Sequence, residues 1–408
     1  MAASDELTPA ESAFVWRARL MKMLWEGGFG LGGASLNMKL MRLSGGDTAA
    51  IAAAHAAHWS LTSAGKCVIS PAYGALSDTT GRRVLWALGR LGMCVQFATW
   101  WGCGSVRGFV IGHTLSWGLL PLDGSLKVED AAWSDVFGDR PDLSSKLLAQ
   151  NQVYTSLAGL VSPIVGAQLA RYGENYAFMC GIAIGAAQCL LAATTPETLA
   201  KEKRLKFNAS KINPLKGLGL LFTHGAGLRR LVIAGGLFRA CQTIYATIDS
   251  YRLGPIGWSP AEQSYFSAGL SGVNIMTTQW VSKPLFAKLG ARRTFQTSSL
   301  VAAVAYLAVS QACRPAGAAV QMRRTVQFLV AKAFLMTPWS EPSHFAVLRE
   351  LVVAARVVLT ARGCAVGLSA LCSVLCALLA SIVYADAKLC ACVCCVSRNA
   401  FELRQRLW

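Results

Sequence analysis

Charged residues are scarce in this chain of 408 residues. They make up 15% of the sequence, whereas an ordinary globular protein contains about 25%, and apolar residues make up 54%. A soluble protein of this length needs more charge to cover its surface. The shortage therefore excludes a typical cytosolic enzyme and a disordered scaffold, and it favours an all-α integral membrane protein.

Several chemical signatures are also absent. The sequence has no phosphate-binding loop of the Walker type, no Ser-His-Asp set, and no His, Cys and carboxylate group at metal-ligand spacing. These absences argue against an ATP-driven pump, an enzyme, a metal centre and a resident cofactor. The first nine residues are polar and have no basic segment before a short apolar run, so we expect no cleavable signal peptide.

The fourteen cysteines do not form a disulfide framework. Seven stand singly in apolar runs, where a thiol behaves as a small apolar group, and the other seven fall in the last 45 residues. The cluster between Cys390 and Cys395 is too crowded for a zinc site and has no histidine nearby. Palmitoylation beside a membrane and an uninformative or mispredicted terminus are the two interpretations that remain open.

A net charge of +18 would also suit a nucleic-acid-binding protein. The Lys and Arg residues, however, cluster between apolar runs, as the cytoplasmic loops of membrane proteins do. The charge therefore predicts contact with a lipid bilayer and not with nucleic acid.

Apolar runs of about 20 residues are the unit that crosses a bilayer as a helix. Six candidate spans come first, at 23–41, 51–76, 84–102, 106–122, 153–170 and 176–193. The first is weak because it is rich in glycine and contains Glu26. Five or six further candidates follow, which makes a total of eleven or twelve.

This order predicts four regions: a six-helix bundle over 1–195, a basic linker over 196–228, a second bundle over 229–388 with degenerate last spans, and a Cys-rich basic tail over 389–408. Between Lys201 and Arg230 eight residues are basic and one, Glu202, is acidic. If this linker is cytoplasmic and the span number is even, both termini are cytoplasmic as well.

A short polar segment separates the second candidate span from the third. Its residues of interest are Gly74, Asp78, Gly81, Arg82 and Arg83. The two glycines allow a close helix approach and a tight turn, Asp78 can pair with an arginine or cap a helix, and the arginine pair anchors the turn. The sequence about half a chain later carries an echo of this segment in Lys283, Pro284, Gly290, Arg292 and Arg293.

The segment 74–83 resembles the signature loop of the major facilitator superfamily (MFS). The acidic-then-arginine loop from Asp135 to Arg140 and the sequence Pro-Glu-Thr-Leu at 196–199 are also similar to family features. The resemblance implies two six-helix bundles around a central cavity, which alternate between inward-open and outward-open states. In the family the signature loop acts as a latch between the halves, and a topology anchor alone is the alternative.

The fifth candidate span carries Gly159, Ser162, Pro163 and Gly166. This pattern resembles the glycine-proline motif of the tetracycline and drug antiporters. Ser162 and Ala167 stand where those members have glycine, so the sequence departs from the motif at two positions.

Ionisable groups inside a span are costly and are therefore candidates for function. At helical spacing, one face of the second span carries His55, Trp59, Thr62, Ser63, Lys66, Ser70 and Tyr73. Such a stripe fits a water-filled cavity or a polar partner better than lipid. Lys66 is a candidate for anion binding or proton coupling, and the structural alternative is an ion pair with an acid such as Glu26.

The seventh candidate span gives a second polar stripe. Its members are Arg239, Gln242, Tyr245 and Asp249. Arg239 falls near mid-membrane, where a guanidinium requires a carboxylate or an anionic ligand. Glu26 in the first span is a further candidate, as a buried carboxyl that exchanges a proton with each face.

These patterns predict a secondary active transporter that moves a small solute by alternating access, with protons as the candidate coupling ion. Lys66 and Arg239 facing one cavity would suit an anionic solute. We expect a monomer without cofactor or catalytic residues. The alternative from another class is an MFS-like membrane receptor or scaffold that does not transport.

Overall fold

The computed structural model describes residues 6–119, 122–206 and 258–282, together with short pieces between 284 and 301. Within these ranges the chain is helical and contains no strand. The α-helices are α1 (Pro9–Leu43), α2 (Thr48–Thr80), α3 (Arg82–Gly102), α4 (Val106–Thr114), α5 (Leu122–Phe137), α6 (Pro141–Tyr172), α7 (Glu174–Thr194) and α8 (Pro260–Thr277). π-Helical turns extend α4 over Leu115–Leu119 and α8 over Thr278–Ser282.

The helices agree with the candidate spans of the first half. Spans one, two, three, five and six lie inside α1, α2, α3, α6 and α7, and the described residues of span four comprise α4, its π-helical turn and the first residue of α5. The weak first span proves to be a helix of 35 residues. It begins early because Thr8 and Glu11 form a capping box and Pro9 follows at the first helical position, a strong start signal that apolar content does not detect.

Two stretches of the described residues are long and apolar enough to cross a membrane by length and composition alone, Gln150–Tyr172 and Glu174–Thr194. Other helices of the first half bury charged side chains inside the bundle. Arg90 of α3, for example, is wholly buried. A test by composition therefore underestimates the ability of these helices to cross a membrane, because it counts a charge that faces a neighbouring helix as if it faced lipid.

The ends of the bundle are distinguished by their polar contacts. At one end, which we call the Arg82 end, α1 and α3 begin and the side chains of Glu11 and Arg140 form an ion pair. At the opposite end, Lys39 Nζ donates to the carbonyl oxygens of Trp100 and Trp101 at 2.8 and 2.6 Å. A cation at the carbonyl end of α3 is the favourable side of the helix dipole.

Small residues bring α1 against α6. A Cβ built on Gly166 would lie 2.4 Å from the carbonyl oxygen of Leu31 and 2.7 Å from its Cα. One turn away, a Cβ on Gly30 would overlap the side chain of Ser162. The two backbones therefore approach as closely as glycine permits, as in the small-residue contacts of membrane helices.

The described helix of the second half, α8, packs on α6 and α1 through polar contacts. Asn37 Nδ2 donates to Gln263 Oε1 at 2.7 Å, and Gln168 Nε2 donates to Tyr265 Oη at 2.9 Å. On α6, the missing side chain of Gly159 leaves room for Ser271. Within the described residues, the contact of α8 with the first half thus includes small and polar side chains.

Candidate functional site

The signature-loop arginine Arg82 is buried at the α2–α3 turn. Its Nη1 donates to Asp78 Oδ1 and to Ser77 Oγ, both at 2.6 Å, and its Nε donates to Asp135 Oδ2 at 3.0 Å. Because Asp135 lies at the end of α5, one guanidinium joins the end of α2, the start of α3 and the end of α5. Arg83, by contrast, is exposed.

The two glycines of this loop have different surroundings. Gly81 has φ +104°, a backbone conformation that favours glycine, and a Cβ there would meet the carboxylate of Glu197. No atom of the described residues lies within 4 Å of a Cβ on Gly74. The close helix approach that we expected at Gly74 is therefore not made within the described part of the chain.

Glu197, in the Pro-Glu-Thr-Leu segment, caps the start of α3. Its Oε1 accepts from the backbone N–H of Arg82 at 2.8 Å, and its Oε2 accepts from that of Arg83 at 3.3 Å. The first N–H groups of a helix have no partner within it, and a carboxylate there also benefits from the helix dipole. The segment after α7 is thus fastened to the signature loop.

Removal of this cap should lower stability measurably. We expect Glu197→Ala to reduce the free energy of unfolding by about 1–2 kcal/mol, the usual effect of losing a helix cap. Glu202→Ala is the matched control, because Glu202 is an exposed carboxylate five residues further along. The measurement is the midpoint of thermal unfolding in detergent, and equal midpoints for the two variants would contradict the capping role.

The motif of α6 lies at the contact with α1. Gly166 faces Leu31, and Ser162 Oγ lies 3.4 Å from the carbonyl oxygen of Glu26. Pro163 lies within α6 and is buried. The serine that departs from the family pattern is accommodated because Gly30 on α1 leaves room for it.

The second departure, Ala167, is also buried. It packs with Ala34 of α1 and Ala170 of α6. Both departures therefore retain a close approach of α1 and α6.

The second-half echo is described only in part. Pro284 and Arg293 are in helical conformation, and Gly290 has φ +71°, which favours glycine. Lys283 and Arg292 lie outside the described residues. The span-seven candidates Arg239, Gln242, Tyr245 and Asp249 also lie outside them.

A buried ion cluster occupies the Arg82-end half of the bundle. Arg90 Nη2 of α3 and Glu129 Oε2 of α5 are 2.6 Å apart, and these side chains are 0% and 1% exposed. Lys22 Nζ of α1 lies 3.6 Å from Glu129 Oε1, and Arg90 Nη1 donates to Gln188 Oε1 of α7 at 3.2 Å. The guanidinium also lies 5.1 Å from the ring centre of Trp25.

The polar stripe of α2 faces α4. Lys66 Nζ lies 4.6 Å from the ring centre of Trp117, a cation–π distance. Thr62, Ser63 and Ser70 are buried, and Tyr73 Oη donates to the carbonyl oxygen of Leu85 at 2.8 Å. The side chains of this stripe are buried or half-buried in the bundle. Glu26 lies half-buried on α1.

Three histidines of the first half come together where α2 meets α4. His55 Nδ1 and His58 Nε2 are 3.1 Å apart, and the ring centres of His58 and His113 are 4.0 Å apart. Among the described residues no group of three or more His, Cys, Asp or Glu side chains is suited to hold a metal ion. The contacts that the structure shows among these histidines are one hydrogen bond and close ring contacts.

Sequence reasoning did not single out Arg90, Glu129 or His58. Arg90 and Glu129 are 39 residues apart and show their relationship only when α3 and α5 pack. His58 lies three residues after His55, which is helical spacing, so the pair could have been noticed. The contact of this pair with His113, which lies on another helix, could not have been noticed in the sequence.

No protein-family model matches the chain, and no curated protein matches its sequence. Solved structures do match its fold. The human organic anion transporter MFSD10 (TETRAN) is 20% identical, over 94% of this chain and 96% of that one, with a TM-score of 0.66. The nucleoside transporter NupG is 12% identical, over 91% and 90%, with a TM-score of 0.62.

A third matching structure belongs to a protein whose fold family is known. The xylose transporter XylE from E. coli is 13% identical, over 91% of this chain and 96% of that one, with a TM-score of 0.60. XylE is described as an MFS proton:xylose symporter. At these identities the likeness shows the fold, which is the all-α major facilitator fold of multi-pass membrane proteins. The prediction of fold class is confirmed.

Proposed function

We propose that this protein is a secondary active transporter that moves a small solute across a membrane by alternating access. The observation that carries the proposal is the polar interior of a major facilitator fold. A buried ion cluster and a stripe with Lys66 at its middle lie inside the described bundle. A receptor or scaffold has no need of such an interior, because buried charge is costly unless it has a role.

The contact between α8 and the first half also supports the proposal. Alternating access requires the halves to rock against one another, so the contacts between them must break at low cost. The hydrogen bonds from Asn37 to Gln263 and from Gln168 to Tyr265 join polar side chains that can exchange partners with water. The small side chains of Gly159 on α6 and Ser271 on α8 interlock little, so the two helices can shift against one another.

We further propose an anionic solute, protons as the coupling ion, a monomer in the lipid bilayer, and both termini in the cytoplasm. Lys66 supports the anionic solute, and we propose Arg239, which lies outside the described residues, as a second cation for it. The basic loops at the Arg82 end support the orientation. The drug-antiporter resemblance suggests proton exchange as a finer hypothesis, since Ser162 and Ala167 preserve the helix approach of that motif.

Uptake into proteoliposomes tests the proposal. Labelled benzoate, uridine and xylose are offered under an imposed pH gradient and without one. We expect gradient-dependent accumulation of at least one probe, with benzoate favoured. We also expect the Lys66→Ala, Arg239→Ala double variant to reduce uptake to that of empty liposomes.

The matched control is Arg107→Ala, because Arg107 is an exposed cation near the start of α4. It should transport as the wild type does. Equal uptake by the double variant would contradict the assigned residues. If folded wild-type protein accumulates none of the three probes, transport of these solute classes is contradicted and the non-transporting alternative is favoured.

A further inference from the structure

The histidines His55, His58 and His113, which we call the imidazole cluster, lie inside the bundle and away from the Arg82 end. His58 is about 15 Å along α2 from its start, and His113 is about 10 Å along α4 from its start. Their side chains are buried, with exposures of 2% for His58 and 6% for His113. His55 is half-buried at the edge of the cluster.

A hydrogen-bond chain fixes the protonation of His113. The indole N–H of Trp117 can only donate, and it donates to Gln96 Oε1. The amide nitrogen of Gln96 is thereby a donor, and it lies 3.3 Å from His113 Nδ1. His113 Nδ1 must then accept, so the neutral ring carries its proton on Nε2.

The hydrogen-bond chain stops at His113. His113 Nε2 and His58 Nδ1 are buried ring nitrogens without a hydrogen-bond partner among the described residues. They belong to rings whose centres are only 4.0 Å apart. Two buried nitrogens thus lie on neighbouring rings without a hydrogen bond, and the tautomer of His58 sets whether its Nδ1 donates or accepts. In the tautomer that leaves His58 Nδ1 as an acceptor, His113 Nε2–H is the donor that could complete a chain of all three imidazoles.

The charged groups that face the cluster are few among the described residues. On α2 the neighbours are His55 and Lys66, from α4 the neighbour is His113, and α3 contributes the uncharged Gln96. Lys66 is therefore a positive charge within electrostatic reach of both buried imidazoles. An added proton is repelled by this charge in the packed state and is better tolerated where the cluster meets water.

We propose that His55, His58 and His113 form one proton-binding site between α2 and α4, and that this site carries the coupling proton of transport. The second part of this proposal rests on the proposed function. A hydronium ion at one membrane face gives up its proton, which forms an N–H bond on an imidazole ring. That N–H bond breaks at the other face, where water takes the proton. Because the packed cluster resists a charge, protonation favours a state in which the cluster is open to water.

Tryptophan fluorescence reports on this site without any solute. The indole rings of Trp100 and Trp117 are stacked on His113, with ring centres 6.0 and 5.8 Å away, and a protonated imidazole quenches indole emission. The full chain in lipid nanodiscs is titrated from about pH 8 to about pH 4, around the unperturbed range of histidine. We expect a quenching step in the wild type that is absent in His58→Gln and in His113→Gln.

His224→Gln and His344→Gln are the controls, because these are the other two of the five histidines. Both should keep the step. Lys66→Gln should move its midpoint to higher pH, on the order of one unit, since it removes a repelling charge. An unchanged step in folded His58→Gln and His113→Gln would overturn the site. If neither variant elutes as a folded protein, His55→Gln decides, with loss of the step supporting the site and its retention overturning it.

Coupling is tested separately from proton binding. With whichever of benzoate, uridine and xylose the wild type accumulates, His58→Gln and His113→Gln should lose accumulation driven by the pH gradient. They should keep solute exchange at equal pH on both sides. Unchanged gradient-driven accumulation would overturn the coupling role. If no solute is accumulated, the proposed function fails, while the fluorescence titration still decides whether the site binds a proton.

Discussion

Replacing Arg90 with alanine should destabilise the protein by about 3–5 kcal/mol. The substitution leaves Glu129 as a buried carboxylate that has lost its partner at 2.6 Å. Lys22 remains 3.6 Å from the other carboxylate oxygen, but it is partly exposed and makes a weaker contact. Glu129→Ala should have an effect of similar size, because it leaves the guanidinium of Arg90 buried without its carboxylate.

The measurement is the midpoint of thermal unfolding in detergent, together with the fraction that elutes as a monodisperse species. Arg107→Ala is the matched control, since it removes an exposed arginine and should change the midpoint little. The double variant Arg90→Met, Glu129→Leu should recover most of the loss, because no buried charge remains. A double variant as unstable as the single variants would contradict the ion-pair explanation.

Gly166→Val should give the second large effect. A Cβ at this position would lie 2.4 Å from the carbonyl oxygen of Leu31 and 2.7 Å from its Cα. Those are backbone atoms and cannot rotate away, so α1 and α6 must separate. Overpacking of this kind costs about 1–3 kcal/mol, and valine should fall at the upper end because its branches extend the overlap.

Gly159→Ala is the matched control on the same helix. A Cβ there would meet the side-chain oxygen of Ser271 at 2.9 Å, and a hydroxyl can rotate away at little cost. We expect a midpoint of thermal unfolding close to that of the wild type for Gly159→Ala and a clear fall for Gly166→Val. A fall of equal size in both variants would show that these positions respond to lost helix flexibility and not to the contact with Leu31.

Local features were accessible from the sequence because they depend on neighbours within one or two helical turns. The pairing of Asp78 with Arg82 joins residues four apart, and the polar stripe of α2 follows from the helical period. The glycine at position 81 predicted a tight turn between α2 and α3, and the turn there has the positive φ that favours glycine. The length of the first helix was underestimated, because apolar content does not reveal the N-terminal part of the helix, which the capping box of Thr8 and Glu11 begins.

The sequence by itself determined the all-α membrane fold. Scarce charge and apolar runs of span length place these segments in lipid, where few structures other than a helix satisfy the hydrogen bonds of the backbone. The sequence also determined the turns that carry the signature motif. Only the tertiary structure decided the partners of the buried polar groups. Glu197 reaches Arg82, Glu129 reaches Arg90 and His113 reaches His58 because separate helices cross at those points. Such crossings depend on how whole helix faces pack, and the spacing of residues along one helix does not encode them.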